Sequence, residues 1–194
     1  RTLYYLKQQM DEGKITYDDI LRKYMHELHA NEIVLLSYYI AAINIEAVFD
    51  EVNGPNRGYK PFDGIVLTDT FESSEREDTL DDDMFGTNNK RLKEQQKKPI
   101  TAIISNPPYS IVNHDSNNSN VITYKKLDDS ISSTYAKYSN TKNILSLHDS
   151  YIRAIRWASD RIGDKGIIGF ITNNGFIDSK SADGLRYCLN KEFN

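Results

Sequence analysis

The residues best suited to chemistry are Asn106, Pro107, Pro108 and Tyr109, which follow the run Ile100-Thr101-Ala102-Ile103-Ile104-Ser105. The β-branched run predicts a short buried strand, and the prolines stop it. Consecutive prolines fix φ twice and push each preceding residue out of the helical region, so the backbone from Asn106 to Tyr109 is held extended. Neither proline has an N–H to offer. The loop therefore presents acceptors, the Asn106 side-chain oxygen and the main-chain carbonyls, beside one aromatic face. That combination suits a planar base with an exocyclic amino group. Adenine could donate both N6 hydrogens to Asn106 Oδ1 and the Pro107 carbonyl while Tyr109 stacks on its ring. Such contacts make the nitrogen a better nucleophile without full deprotonation, which is what amino methylation requires. A Pro-Pro turn that merely closes a strand would carry the same four residues, so the elements around it must discriminate.

Helical patterns run over Arg1–Met10 and, from a Thr16 cap with Asp18 and Asp19 in the first turn, over Tyr17–Met25. A longer one runs from Val34 to Val48 or Phe49 and is apolar nearly all round, which predicts burial against a sheet. Gly64–Thr68 reads as a strand ending at Asp69, with Thr70, Phe71 and Glu72 leaving it. Ser73–Asp83 is strongly acidic and predicts an exposed or disordered loop, and the basic stretch Asn88–Lys98 predicts a solvated helix. Ser110–Leu147 is rich in Ser and Asn, with Tyr124-Lys125-Lys126 and Tyr135-Ala136-Lys137-Tyr138 interleaving aromatics and lysines, and one or two helical turns are predicted around Ile131–Tyr138. A loop of this length is usually functional or disordered. Asp149 or Ser150 can cap a helix over Tyr151–Ile162 with an apolar stripe of Ile152, Ile155, Ala158 and Ile162, Ile167–Thr172 predicts a second buried strand, and Asp183–Glu192 reads as a final helix. Strands alternating with helices predict an α/β fold with a mainly parallel sheet, in which ligands bind at the carboxyl ends of the strands. Glu32, Asp69, Asn106 and Asn173 all fall at such ends.

With 194 residues and 39% hydrophobic content the chain has material for one real core, or for a piece of something larger. A formal net charge of −4 argues against a stand-alone nucleic-acid binder that works by bulk electrostatics, so any DNA affinity must be local. One cysteine excludes an internal disulfide, and the four scattered histidines have no metal-ligand spacing. No apolar run approaches the length of a membrane span and no secretory pattern opens the chain, which points to a cytoplasmic, soluble protein.

Asn-Pro-Pro-Tyr after an apolar strand resembles the motif of amino-methyltransferases that use S-adenosylmethionine (AdoMet), chiefly the adenine-specific DNA enzymes. The order of the pieces resembles the Rossmann-like AdoMet-dependent methyltransferase fold from its second strand onward. Closer still, His29-Ala30-Asn31-Glu32-Ile33, Leu36–Glu46, Phe62-Asp63-Gly64-Ile65, Leu67-Thr68-Asp69-Thr70 and Asp149–Ala154 resemble the methylase part of Type ISP single-polypeptide restriction-modification enzymes. Those join a nuclease and a translocating helicase to an adenine methyltransferase and a target-recognition domain. The resemblance covers about Leu28 to Cys188.

The resemblance implies that Glu32 holds the ribose hydroxyls of AdoMet, that Asp69 receives its adenine amino group, and that Phe71 packs on that adenine. It implies Asn106, Pro107, Pro108 and Tyr109 as the catalytic loop and double-stranded DNA as partner, with an adenine flipped out of the duplex to reach Tyr109. A carboxylate accepting from two vicinal hydroxyls is a sensible role for Glu32. As an acid at the start of a helix, Glu32 is equally favoured by the helix dipole. Ser110–Leu147 is expected to close over the target, with Lys125, Lys126 or Lys137 meeting phosphate. Two departures stand out. The family's first strand and glycine-rich loop are expected just before Arg1, and no recognition domain follows Asn194, so the chain reads as a partial domain that by itself is inactive and binds AdoMet weakly or not at all. Ser105 also stands where many relatives have glycine. No Gly-x-x-x-x-Gly-Lys-Ser/Thr loop occurs, so any ATPase belongs to other sequence. Two other functions remain open: methylation of an RNA adenine or a protein glutamine, whose amide nitrogen offers the same two hydrogens, and a non-catalytic structural domain of a helicase-nuclease polypeptide.

Overall fold

Thr16 forms the expected cap, and more: its hydroxyl accepts the Asp19 N–H while the Asp19 carboxylate accepts the Thr16 N–H, a reciprocal capping box that starts α2, Tyr17–His26. Upstream is α1, Thr2–Asp11, and downstream follow β1, Ala30–Glu32, and α3, Leu35–Asn53. The chain continues through β2, Ile65–Leu67, α4, Thr70–Glu75, and α5, Gly86–Lys97. After β3, Ala102–Ser105, come α6, Lys125–Ile131, a π-helical stretch Ser132–Ala136, α7, Ser150–Arg161, β4, Ile167–Phe170, α8, Gly175–Asp178, and α9, Asp183–Glu192. The structure is a computed structural model that describes residues 1–75, 86–108, 123–141 and 144–193. Most of the acidic stretch, and residues 110–122 and 142–143 of the long loop after Tyr109, lie outside the described residues. Ser73, Ser74 and Glu75, expected in the acidic loop, close α4 instead.

The described residues form an α/β protein whose strands pair in parallel, but as two two-stranded sheets rather than one. Residues Arg1–Ser73 with α5 make one compact unit, and Pro99 onward, with Ser74 and Glu75, makes the other. In the first, β1 pairs with β2 in the register Ala30↔Ile65, Asn31↔Val66, Glu32↔Leu67. Its core is Leu3, Ile20, Tyr24, Phe49, Val52, Phe62 and Ile65, with Tyr24 and Phe49 stacked at 3.6 Å. In the second, β3 pairs with β4 in the register Ala102↔Ile167 to Ser105↔Phe170. Its core is Ile131, Tyr135, Leu147, Tyr151, Ile152, Ile155, Leu185 and Cys188.

Three expectations of burial fail. On α3 the residues Leu35, Leu36, Tyr39, Ile40 and Ile43 are all more than half exposed; Tyr38, Ala41, Ala42, Ile45 and Val48 pack part-buried against the core, and full burial comes only at the far end, at Phe49, Val52 and Asn53. Ile104 of β3 is 82% exposed and Ile167 of β4 is 73% exposed. Parallel strands normally carry apolar residues because both faces are covered. Here the composition is that of covered strands and helix, and among the described residues the covering elements are missing.

The edges of the first sheet differ in kind. Ala30 donates to Gly64 O and Glu32 accepts from Thr68, so both turn toward β2, and Asn31 turns its N–H and C=O to the opposite edge. The outer side of β2 is closed, since Leu67 donates to Asn88 Oδ1 at 2.8 Å and its carbonyl accepts from Asn88 Nδ2 at 3.0 Å. The Asn88 amide thus takes the place of a neighbouring strand.

In the second unit Asp183 pins the start of α9 to the end of the π-helical turn. It accepts from the Ser139 hydroxyl at 2.6 Å, from the Asn140 N–H and side-chain amide at 3.0 Å each, and from the Gly184 N–H at 2.8 Å. The Ser139 hydroxyl first, and then the Asn140 N–H, hold its carboxyl well below the usual carboxylate range. A depressed folded-state pKa contributes stability that is present above the unfolded value, about 4, and lost as pH falls toward the folded one. Asp183→Asn is therefore expected to be less stable than wild type at pH 7, with a gap that narrows as pH drops below about 4. Urea unfolding at pH 7 and pH 3 reads this directly, and a gap of equal size at both would refute it.

Candidate functional site

Each strand delivers its polar residues at its carboxyl end. Glu32 closes β1 and is half-buried, and its Oε1 accepts the N–H groups of Ile33 at 2.9 Å and Val34 at 3.0 Å. The carboxylate thus ties the strand end to the start of α3, where the dipole favours an anion. Its second oxygen, Oε2, is left as an acceptor.

Asp69 follows β2. Its Oδ1 accepts from Phe71 N–H at 2.9 Å and Glu72 N–H at 3.2 Å, which starts α4. The register places Glu32 beside Leu67, so Glu32 and Asp69 leave the same end of adjacent parallel strands, whose separation is about 4.8 Å. Asn31 Nδ2 donates to Thr70 Oγ1 at 3.2 Å and stitches the two strand ends together. The structure therefore brings Glu32, Asp69 and Phe71 to one edge of one unit. The Asn31–Thr70 contact carries no sequence signal, because the residues are 39 positions apart.

The acceptor loop stands in the other unit. β3 ends at Ser105, whose carbonyl accepts from Ile171 N–H at 3.1 Å, and the next residues leave the paired region. Asn106 and Pro108 are exposed and Pro107 is buried, so the first proline anchors the turn while the amide side chain stays at the surface. Tyr109, the expected aromatic plate, lies outside the described residues. On the neighbouring strand, Thr172 Oγ1 donates to Asn173 O at 3.0 Å and Asn173 Oδ1 accepts from Gly175 N–H at 2.9 Å. Asn106 and Asn173 thus leave the same end of the β3–β4 pair.

The same unit also holds a polar cluster the sequence did not announce. Asp128 receives Arg153 Nε at 2.9 Å and Nη2 at 2.8 Å, and His148 Nδ1 lies 3.2 Å from the same carboxylate. Arg153 also sits over the Tyr124 ring, 5.2 Å from its centroid. Glu75 accepts the N–H groups of Lys126 at 2.7 Å and Leu127 at 3.0 Å, which fixes the start of α6. Arg156, 4% exposed, pairs with Asp160 and Glu192. These contacts hold helices together rather than line a strand end. No group of His, Cys, Asp or Glu among the described residues could hold a metal ion, and none of their helices is long and apolar enough to cross a membrane.

With this geometry in view, comparisons with known proteins place the chain. Residues 23–194 match the Eco57I restriction-modification methylase family. A nuclease-deletion mutant of the Type ISP restriction-modification enzyme LlaGI, solved in complex with a DNA substrate mimic, is 65% identical over all of this chain with a TM-score of 0.93. The ATP-dependent Type ISP restriction-modification enzyme LlaBIII bound to DNA is 63% identical over 95% of this chain, with a TM-score of 0.90. A DrdV–DNA complex is 37% identical over 98% of it, with a TM-score of 0.81. No curated protein matches the chain. It spans 16%, 12% and 18% of those three solved chains respectively. The match to nearly nine-tenths of its length, with strand ends carrying carboxylates in one unit and an Asn-Pro-Pro turn in the other, means that the chain belongs to the Eco57I restriction-modification methylase family.

Proposed function

We propose that the chain is part of a DNA adenine-N6 methyltransferase within a restriction-modification enzyme, acting on a base flipped out of the double helix. The observation that carries this reading is the exposed Asn106 followed by buried Pro107 at the carboxyl end of a parallel strand. A carbonyl oxygen and a proline-stiffened backbone make an acceptor pair that accommodates both hydrogens of an exocyclic amine. Asn106 Oδ1 and the Pro107 carbonyl orient the amine and hold its lone pair toward the methyl donor, and Tyr109 supplies the stacking face. Positioning of this kind contributes about 7–11 kcal/mol where near-attack alignment is complete. No general base is needed at the outset, because the methylated amine, while still cationic, is acidic enough to release its proton afterwards.

Family membership implies a methyl donor of the AdoMet type, and the first unit fits it. Glu32 keeps one carboxylate oxygen for vicinal ribose hydroxyls after Oε1 has capped α3, Asp69 stands at the next strand end, and Phe71 is half-buried beside it. AdoMet, when bound, supplies an electrophilic sulfonium methyl group. The domain is read as partial, lacking its first strand and the glycine-rich loop, and the chain alone as inactive. Support comes from the edge of β1 to which Asn31 turns its N–H and C=O, together with the Asn88 amide that closes the outer side of β2. An added parallel strand thus has one place to pair in this sheet. All three solved relatives were captured as DNA complexes, which favours DNA over RNA or protein as the substrate.

The test is the product. The enzyme that carries this chain, given methyl-labelled AdoMet and duplex DNA, is expected to put the label into N6-methyladenine after digestion to nucleosides. Label in N4-methylcytosine, in RNA or in protein, or no label at all, would overturn the assignment.

A further inference from the structure

The π-helical stretch Ser132–Ala136 and α9 approach each other more closely than side chains usually allow. A Cβ on Gly184 would lie 2.0 Å from the Tyr135 carbonyl oxygen and 2.7 Å from Ser139 N, so glycine is what lets the two backbones meet. Asp183, one residue earlier, clamps Ser139 and Asn140 from the same helix. This docking sets Tyr138 against Tyr187, with ring centroids 5.0 Å apart and planes tilted by 41°.

Each ring carries a cation. Lys137 Nζ stands 5.4 Å from the Tyr138 centroid and Lys191 Nζ stands 4.8 Å from that of Tyr187. All four side chains are exposed. The acids of α9 are engaged elsewhere, Glu192 by Arg156 Nη1 at 2.9 Å and Asp183 by Ser139 and Asn140, so the Lys191 ammonium is not neutralised by its own helix. A hydrogen bond with the Tyr187 phenol lifts Lys191 above the usual lysine range.

We infer that Lys137, Tyr138, Tyr187 and Lys191 form a contact for the phosphate backbone of double-stranded DNA, an inference that rests on DNA being the substrate. Cation–π contact restrains both lysine chains before binding, which reduces the rotamer entropy lost on meeting a phosphate. The phenol hydroxyls add neutral donors of the kind that meet phosphate oxygens and fix register without reading sequence. In a chain with a formal net charge of −4, duplex affinity has to come from local cationic surface, and this patch rests on two elements locked together by Gly184 and Asp183.

Salt-dependent binding tests it. Anisotropy of a labelled duplex, titrated with the chain at several salt concentrations, gives the slope of log affinity against log salt. Lys137→Gln/Lys191→Gln is expected to bind more weakly and to flatten that slope by about two. The control Lys7→Gln/Lys14→Gln removes the same charge from lysines paired with Asp11 at 3.2 Å and Glu12 at 2.6 Å, and should leave the slope unchanged. An unchanged slope in the first variant, an equal loss in both, or no wild-type binding at low salt overturns the inference. If the slope flattens but the enzyme methylates cytosine, the contact stands and the adenine reading fails.

Discussion

Replacing Asn106 with alanine in the enzyme that carries this chain is expected to lower single-turnover methyl transfer about 10²–10³-fold, the loss typical when one preorganised polar contact at a reacting centre is removed. In the proposed site the Asn106 oxygen is one of two acceptors for the target amine, and it stands on the one backbone segment that two prolines make rigid. Truncation removes both an orienting bond and the pull on the nitrogen lone pair. The fold should not suffer, because Asn106 is exposed and follows the last paired residue of β3. Duplex binding should persist as well, since phosphate contacts supply most of its affinity. The loss therefore belongs in kcat rather than in KM for DNA. Asn106→Asp keeps the acceptor geometry and adds a charge, and it should retain more activity than alanine does. Methylation by Asn106→Ala within tenfold of wild type would remove this residue from the chemistry and favour a non-catalytic domain.

The parts of the molecule that follow from neighbouring residues were legible in the sequence. Thr16 with Asp19 announced the start of α2, the spacing of Ile152, Ile155 and Ala158 announced the buried face of α7, and Asp183–Glu192 is the observed α9. Two strand ends were legible for the same reason, since Asp69 and Asn106 each follow a short apolar run, whereas Glu32 follows His29-Ala30-Asn31 and was singled out by the family resemblance. What could not be read is who covers whom. Leu36, Tyr39, Ile40 and Ile43 give α3 an apolar face, but periodicity names a face and not its neighbour, and that face is open among the described residues. Ile104 and Ile167 repeat the lesson on β3 and β4. The chain spans less than a fifth of its solved relatives. Periodicity is equally silent on α7, where Arg153 and Arg156 are buried because a carboxylate distant in sequence comes to meet each.

That pairing sets the largest stability effect expected in the second unit. Arg153 is 5% exposed, and its Nε and Nη2 both donate to Asp128, 25 positions earlier, which also accepts the Tyr124 N–H at 3.3 Å and lies against His148. One carboxylate thus joins α6, α7 and the turn before α7. Asp128→Ala leaves a guanidinium buried without its anion, and removing one partner of a buried pair costs about 3–5 kcal/mol. Urea unfolding of the chain should show that loss in its midpoint. The size reflects a stranded charge rather than the worth of the pair, which makes a second measurement decisive. Asp128→Leu/Arg153→Met removes both charges and replaces them with apolar groups, so it should recover most of the stability. A double variant as unstable as Asp128→Ala would mean that the hydrogen bonds to Tyr124 and His148 dominate, and a single variant within about 1 kcal/mol of wild type would mean that water reaches Arg153 and screens it.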